Sequence, residues 1–320
     1  MKIDQKAVVF PGQGSQKTGM GKDFYDADVI GKNTYHEASE ALGWDVGRLC
    51  FETNERLNLT EYAQPCILAT EIAMFRVIQD RYGLHPAYLG GHSLGEYTAL
   101  VAGGVLPFAQ ALQIVQARGQ LMQQATPIGM GGMAALIAEH IDVEKIEAAI
   151  EGLPVDIANI NSKKQVVISG KISGLREAET RLTKVWKNGV PFRFVPLNVS
   201  APFHSRFMDA IKAPFRNSLQ NIETVITPDG ASRVTANVTG GFHESNRKKI
   251  IDRLVSQLSG TVRWTDNMRA LISRTPAIIE IGPGRPLRDF FKSIGASCTS
   301  ITTFATAERT FKNNGNEQSM

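Results

Sequence analysis

A serine stands at the centre of Gly91-His92-Ser93-Leu94-Gly95, a Gly-x-Ser-x-Gly pentapeptide. Glycines on both sides let the chain turn sharply enough to lift the hydroxyl clear of the backbone, as a serine nucleophile requires. Ala87-Tyr88-Leu89 predicts a short buried strand before it, and Gly95 to Val105, rich in Ala and Leu, predicts a helix after it. That context leaves the Leu94 amide at a helix start, pointing where an oxyanion would form. The chemistry such a constellation performs is acyl transfer through an acyl-serine.

The nucleophile needs a base, and the chain has six histidines. His85, His140 and His243 sit in turn-like or charged stretches and read as surface residues, and His36 lies on a polar helix face. His92 adjoins Ser93 on the elbow, so its ring should face away from the base position and serve as pocket wall. His204 remains, in Asn198-Val199-Ser200-Ala201-Pro202-Phe203-His204-Ser205. Taken alone it reads as a half-buried, hydrogen-bonded histidine; beside Ser93 it is the candidate base. An α/β-hydrolase normally places an acid between serine and histidine. Here the intervening acids fall mainly within 129–196. The orienting group is then a backbone carbonyl or a later acid such as Asp266 or Glu280.

Arg118 is the odd residue of a helix predicted from about Pro107 to Ala125, because it falls inside the apolar stripe of Ala111, Ile114, Val115, Leu121 and Met122. A guanidinium stays charged and is costly to bury alone, so it must meet a carboxylate. Two readings are equally open: an internal ion pair, or bidentate capture of a substrate carboxylate.

These residues need a scaffold. Ala7–Phe10 predicts a strand, broken by the turn Pro11-Gly12-Gln13-Gly14 with exposed backbone amides. Residues 61–81 carry Ile67, Ile72, Phe75 and Ile78 at helical spacing. From 129 to 196 the order changes to strand 133–138, helix 142–151, strands 155–158 and 165–169, helix 172–186 and strand 192–195. This βαββαβ order implies a ferredoxin-like unit. The expected fold is α/β: a large α/β-hydrolase-like catalytic domain, 1–128 and 197–312, with the small ferredoxin-like subdomain 129–196 inserted. The remainder alternates helix and strand, through Ala277–Ile281, the turn Gly282-Pro283-Gly284 and a closing helix, to a frayed tail at 313–320.

Composition narrows the class. A net charge of +4 does not argue for nucleic acid. Lys/Arg-rich stretches at 245–253 and 263–274 suit either solvated helix faces or an acidic partner. Cys50, Cys66 and Cys298 fit neither a disulfide framework nor a zinc site. With no signal segment and no long apolar span, the expectation is a cytoplasmic protein that does not enter a membrane.

Several separated segments resemble one family. VVFPGQGSQKTGMG (8–21), GHSLGEYTAL (91–100), QARGQLMQQA (116–125), ANINSKKQVVISG (158–170), VSAPFHSRFM (199–208), VRWTDNM (262–268) and EIGPGRPL (280–287) resemble malonyl-CoA:acyl carrier protein transacylases, in order and at compatible spacing over 6–310. The resemblance implies Ser93 as nucleophile, His204 as general base and the amides of Gln13 and Leu94 as oxyanion hole. It also implies that Arg118 binds the malonyl carboxylate, with His92 and Asn161 beside the pocket. It assigns the orientation of His204 to a main-chain carbonyl, placed near Arg263. The partners it implies are malonyl-CoA and a phosphopantetheinylated acyl carrier protein, with no metal or redox cofactor, and the enzyme is expected to work as a monomer. Bulky Phe203, with Leu94, favours malonyl over methylmalonyl. Ala201 replaces a glycine more usual in the fatty-acid enzymes and leans the reading toward polyketide synthesis. The alternative is a hydrolase of the same fold that clears acyl groups from carrier proteins; such an enzyme would be expected to lack Arg118.

Overall fold

The computed structural model describes residues 5–127, 129–186 and 191–316. From the N-terminus, β1 (Lys6–Phe10) leads to a helical layer, α1 (Lys22–Ala27), α2 (Val29–Leu42), α3 (Val46–Phe51) and the long α4 (Thr60–Tyr82). β2 (Tyr88–Gly91), α5 (Leu94–Ala102) and α6 (Phe108–Gln124) follow. The next group is β3 (Gly131–Ala138), α7 (Val143–Ile150), β4 (Val155–Ser162), β5 (Gln165–Lys171), α8 (Ile172–Val185) and β6 (Phe192–Pro196). Then come α9 (Lys212–Gln220), α10 (Arg247–Gln257), α11 (Trp264–Ile272), β7 (Ala277–Ile281), α12 (Pro286–Ser293), β8 (Cys298–Ile301) and α13 (Phe304–Asn316).

Unbroken apolar strands suit a parallel sheet covered by helices on both faces. Accordingly β2, β1, β7 and β8 lie side by side in that order, all parallel, with Ala7, Val8, Val9 and Phe10 of β1 fully buried. The second sheet is antiparallel, in the order β4-β5-β3-β6, with α7 and α8 packed on one another and on the sheet. This is the ferredoxin-like arrangement implied by the βαββαβ order. It has its own core of Leu136, Ile146, Val166, Ile168, Ala178 and Leu182, separate from the main one.

The two bodies are joined at an irregular stretch of β4. Register shifts occur between Ile157 and Asn159 and between Ile160 and Ser162. The freed backbone pairs instead with the segment before α11, where Ile160 N donates to Val262 O (2.9 Å) and Val262 N to Ala158 O (2.8 Å). A bulge of this kind re-aims side chains, and Asn161 lies within it.

The sequence expectations differ from the structure toward the C-terminus. β8 and α13 follow the helix expected to close the chain, and α13 continues to Asn316, into the stretch read as a frayed tail. Residues 317–320 lie outside the described residues. Between 206 and 276 the expected alternation is absent: the described residues there form helices and turns, with only isolated bridges such as Leu89 to Val234. Cys50 and Cys66, distant in sequence, come together in the core, with Cys50 Sγ 4.0 Å from the Cys66 carbonyl. All three cysteines are free and buried. No described helix is long and apolar enough to cross a membrane.

Candidate active site

Ser93 sits between β2 and α5 with φ 52° and ψ −100°. A non-glycine residue held at positive φ costs about 1–3 kcal/mol and persists only where its surroundings over-determine it. The flanking glycines show how. A Cβ on Gly91 would run into the Gly95 backbone, and one on Gly95 would run into the Phe10 carbonyl at the end of β1. Strand, turn and helix therefore close on each other at distances only glycine allows. Asn237 clamps the turn from beneath: its Oδ1 accepts from Ser93 N (2.7 Å) and its Nδ2 donates to Gly91 O (2.8 Å).

The loop after β1 lies against this elbow. His92 N donates to Phe10 O (3.1 Å), and Gly12 is packed so that a Cβ there would strike the His92 carbonyl. The next residue is Gln13, whose side chain is anchored by Nε2 donating to Thr60 Oγ1 (3.1 Å). Among the described residues its amide donates to no protein acceptor, and neither does that of Leu94, the first residue of α5. Helix starts leave such amides unsatisfied and directed outward.

His204 is the second non-glycine residue at positive φ (56°) among the described residues. It is 4% exposed, in the loop between β6 and α9, and its Nε2 is 2.8 Å from Ser93 Oγ. The other ring nitrogen, Nδ1, is 2.8 Å from the main-chain carbonyl of Gln257. A carbonyl only accepts, so Nδ1 carries the proton and Nε2 is left to accept from the serine hydroxyl. The orienting group is thus a main-chain carbonyl, but at Gln257, not near Arg263. Neither candidate acid is involved. Asp266 pairs with Arg263 and Arg269, and Glu280 accepts from the Leu287 and Arg288 amides and the Ser300 hydroxyl. Burial, and after it the Arg118 charge, hold the His204 imidazole down at about 3, against the opposing pull of the Gln257 carbonyl. The ring is neutral at physiological pH.

Arg118 is 1% exposed. Among the described residues no carboxylate lies within ion-pair reach, so the internal ion pair offered by the sequence does not form. Its NH1 donates to Gln64 Oε1 (2.8 Å), and its NH2 donates to Gln257 Oε1 (2.9 Å) and Ser93 Oγ (3.2 Å). Its guanidinium carbon lies 5.3 Å from the Tyr97 ring centroid. Three of the five N–H donors of a guanidinium are thus engaged, all on neutral groups, and Nε has no acceptor.

His92 faces away from the Ser93–His204 pair. Its Nε2 is 2.8 Å from Asn161 Oδ1, and its ring meets Trp264 edge-on at 5.6 Å. Asn161 Nδ2 in turn donates to Gln165 Oε1 (2.8 Å). Asn161 therefore reaches the site through His92. Phe203 is buried, with its side chain in the main core immediately before His204.

His36, His85 and His140 are exposed, as read from sequence, but His243 is not. It is 3% exposed, and its Nε2 is 2.9 Å from Glu96 Oε1. The basic stretches at 245–253 and 263–274 are largely neutralised within the chain. Lys248 pairs with Asp252, Lys249 and Arg253 with Glu244, and Arg263 and Arg269 with Asp266. Arg274 lies over the Tyr88 and Phe242 rings. These are internally paired helix faces.

Sequence reasoning missed Gln64, Asn237 and Gln257. Gln257 did carry a signal. α10 buries Ile250, Leu254 and Gln257, so this glutamine falls on the apolar stripe of its helix as Arg118 does on α6.

A neutral imidazole hydrogen-bonded to a strained serine, with amides and a guanidinium that have, among the described residues, no protein acceptor and no carboxylate partner respectively, makes a site for acyl transfer. The acyl transferase domain family matches residues 7–289. The chain belongs to this acyl transferase family. It is 38% identical over 302 residues to the malonyl CoA-acyl carrier protein transacylase of Escherichia coli K12, covering 93% of this chain and 95% of that relative. An acyl carrier protein S-malonyltransferase from Vibrio cholerae superposes with a TM-score of 0.88 at 37% identity, over 96% of this chain and 99% of the other. The malonyl-transacylase solved in complex with a type II PKS acyl-carrier protein superposes at 0.87 with 34% identity, over 97% and 99% of the two chains. This acyltransferase thus shares its whole catalytic fold with those relatives, ferredoxin-like unit included.

Proposed function

We infer that this chain is a malonyl-CoA:acyl carrier protein S-malonyltransferase working through a malonyl-Ser93 intermediate. The observation that carries the substrate class is Arg118, buried, without a carboxylate partner among the described residues, and 3.2 Å from Ser93 Oγ. An acyl group ending in its own carboxylate supplies the missing partner, and the planar fork of the guanidinium suits bidentate capture. The names of the relatives point to the same acyl group and the same acceptor.

The mechanism follows from the atoms in place. His204 Nε2 takes the Ser93 proton as Oγ attacks the thioester carbonyl of malonyl-CoA. The oxyanion is held by the amides of Gln13 and Leu94. On collapse, the CoA sulfur leaves with the proton from His204, and malonyl-Ser93 remains. The phosphopantetheine thiol of the carrier protein then gives its proton to His204 and attacks the ester carbonyl; on collapse the Ser93 oxygen leaves with that proton from His204, giving the malonyl thioester of the carrier and free serine. Pairing of the malonyl carboxylate with Arg118 also cancels the second cause of His204's low pKa. The substrate thereby strengthens its own base.

The reading extends to a cytoplasmic monomer that needs neither metal nor redox cofactor, with Phe203 and Leu94 favouring malonyl over methylmalonyl and Ala201 favouring polyketide over fatty-acid synthesis. The test is intact-mass analysis after mixing with malonyl-CoA, acetyl-CoA or methylmalonyl-CoA, followed by holo carrier protein. A malonyl adduct that moves to the carrier supports it. Rapid loss of the adduct to water without transfer replaces it with the hydrolase. Arg118→Ala should lose malonyl preference while still accepting neutral acyl groups.

A further inference from the structure

Behind the nucleophile lies a charged side chain that the transfer steps leave unused. Glu96, three residues after Ser93, is 0% exposed. Two N–H donors converge on its Oε2, Gln257 Nε2 at 2.7 Å and Asn237 N at 2.9 Å, and His243 Nε2 lies 2.9 Å from its Oε1. Both oxygens are thus engaged, as a buried carboxyl group requires. A buried anion and a buried cation are each costly alone. Glu96 and Arg118 are not in direct contact, but one amide spans the gap between them. Gln257 Oε1 accepts from Arg118 NH2 (2.9 Å) while Gln257 Nε2 donates to Glu96 Oε2 (2.7 Å). The amide is fixed in one sense by the charges at its two ends, because the flipped amide would turn its N–H groups onto the guanidinium. Burial pulls Arg118 down from its ordinary value, and the neighbouring Tyr97 hydroxyl and Glu96 carboxyl oppose that pull.

We propose that Glu96 is a positioning residue for acyl-group selectivity: through the Gln257 amide it offsets the buried charge of Arg118 and keeps that side chain aimed at Ser93. A direct carboxylate–guanidinium pair would consume the donors that the substrate needs. The relayed pair compensates the charge through a neutral amide, so no fixed carboxylate competes with the acyl carboxylate at the guanidinium. The same Gln257 supplies the main-chain carbonyl that holds His204 Nδ1. One residue therefore links carboxylate recognition to the catalytic base. The proposal rests on the reading that Arg118 receives the acyl carboxylate.

The test is Glu96→Gln, which is isosteric, with acylation of Ser93 followed for malonyl-CoA and acetyl-CoA and the melting temperature measured alongside. The KM for malonyl-CoA should rise about tenfold while acetyl transfer stays within about twofold, so that the malonyl-to-acetyl ratio falls. Gln257→Ala removes the relay together with the Nε2 bond to the Ser93 carbonyl (3.0 Å), so both donors should slow, and the malonyl-to-acetyl ratio should fall as in Glu96→Gln. The double variant should be no worse than the worse single one, because both break one path. An unchanged ratio in folded Glu96→Gln, equal loss of both donors, or additive losses in the double variant overturn the proposal. If Glu96→Gln does not fold, Gln257→Ala decides, and an unchanged ratio there overturns it. Arg118→Ala separates the two layers: retained malonyl preference in that variant sinks the carboxylate reading itself. Preference lost there but kept in Glu96→Gln sinks only the relay.

Discussion

Ser93 and His204 come from loops 111 residues apart, both held at positive φ, with Oγ and Nε2 at 2.8 Å. Two independent strained turns converge on one hydrogen bond. With Nδ1 pinned by the Gln257 carbonyl, the only role left to Nε2 is that of acceptor. Ser93→Ala should abolish the acyl adduct. His204→Ala should slow acylation by roughly 10³-fold or more, since a serine hydroxyl without its base is a poor nucleophile. Both are measured by the burst of CoA release. A His204→Ala burst within tenfold of the parent would remove His204 from the mechanism.

The pH dependence follows from the sign of the His204 shift. An ordinary histidine titrates near 6.5 and would switch off as a base on mild acidification. His204 is held at about 3 by burial and then by Arg118. Acylation kcat/KM should therefore stay level from about pH 8 to about pH 5, with no limb near 6.5. Stability runs differently. Below about pH 6.5 the unfolded chain binds a proton at this residue and the folded chain does not, so the contribution of His204 to stability declines as pH falls through that window. Stopped-flow CoA release across pH, paired with denaturant melts, checks both; an acid limb centred near 6.5 would contradict the assignment.

The parts of the site that could be read in sequence are those that break a local pattern. Ser93 stands out between glycines, and Arg118 interrupts an apolar stripe. His204 emerged by elimination among six histidines. The ferredoxin-like order was legible because each of its elements has a clear period. What stayed hidden depends on chain reversals that carry no local signal. Backbone carbonyls have no sequence signature, so the carbonyl that holds His204 was assigned near Arg263 although it belongs to Gln257. His243 lies in a charged stretch and reads as surface until α5 brings Glu96 against it. Asn237 likewise gains its role only when its segment passes beneath the elbow.

Asn237 should matter to both stability and rate. Its Oδ1 and Nδ2 hold Ser93 N and Gly91 O, the two arms of the elbow, and Nδ2 also reaches Asn267 Oδ1 at 3.0 Å. Asn237→Ala leaves buried groups unpaired at about 1–3 kcal/mol each. The turn would relax toward a less strained φ and move Oγ away from His204. A fall in the acylation rate of roughly 10–100-fold is expected, alongside a lower melting temperature. Asn237→Asp keeps the acceptor for Ser93 N but sets a carboxyl oxygen against Gly91 O and Asn267 Oδ1, and should be no better than the alanine variant. Unchanged acylation in Asn237→Ala would show that the elbow holds its shape without the clamp.

A glycine next to Arg118 offers a test at the level of helix packing. Gly119 faces α4 so closely that a Cβ would lie 2.7 Å from the Glu61 Cα and the Thr60 carbonyl. These are backbone atoms that no rotamer change can move aside. Gly119 thus sets the separation of α4 and α6, and that separation brings Arg118 NH1 to 2.8 Å from Gln64 Oε1. Gly119→Ala must push the helices apart, at a cost of about 1–3 kcal/mol for an overpacked contact. The Gln64–Arg118 bond stretches and the Gln13 anchor on Thr60 shifts with α4, while Ser93 and His204 are held from other elements. The expected result is slower acetyl transfer and a malonyl-to-acetyl ratio several-fold lower still, measured as paired burst rates at a temperature where the variant is folded. Equal loss with both donors would mean that the helix shift reaches the elbow, and that the guanidinium is not positioned through α4.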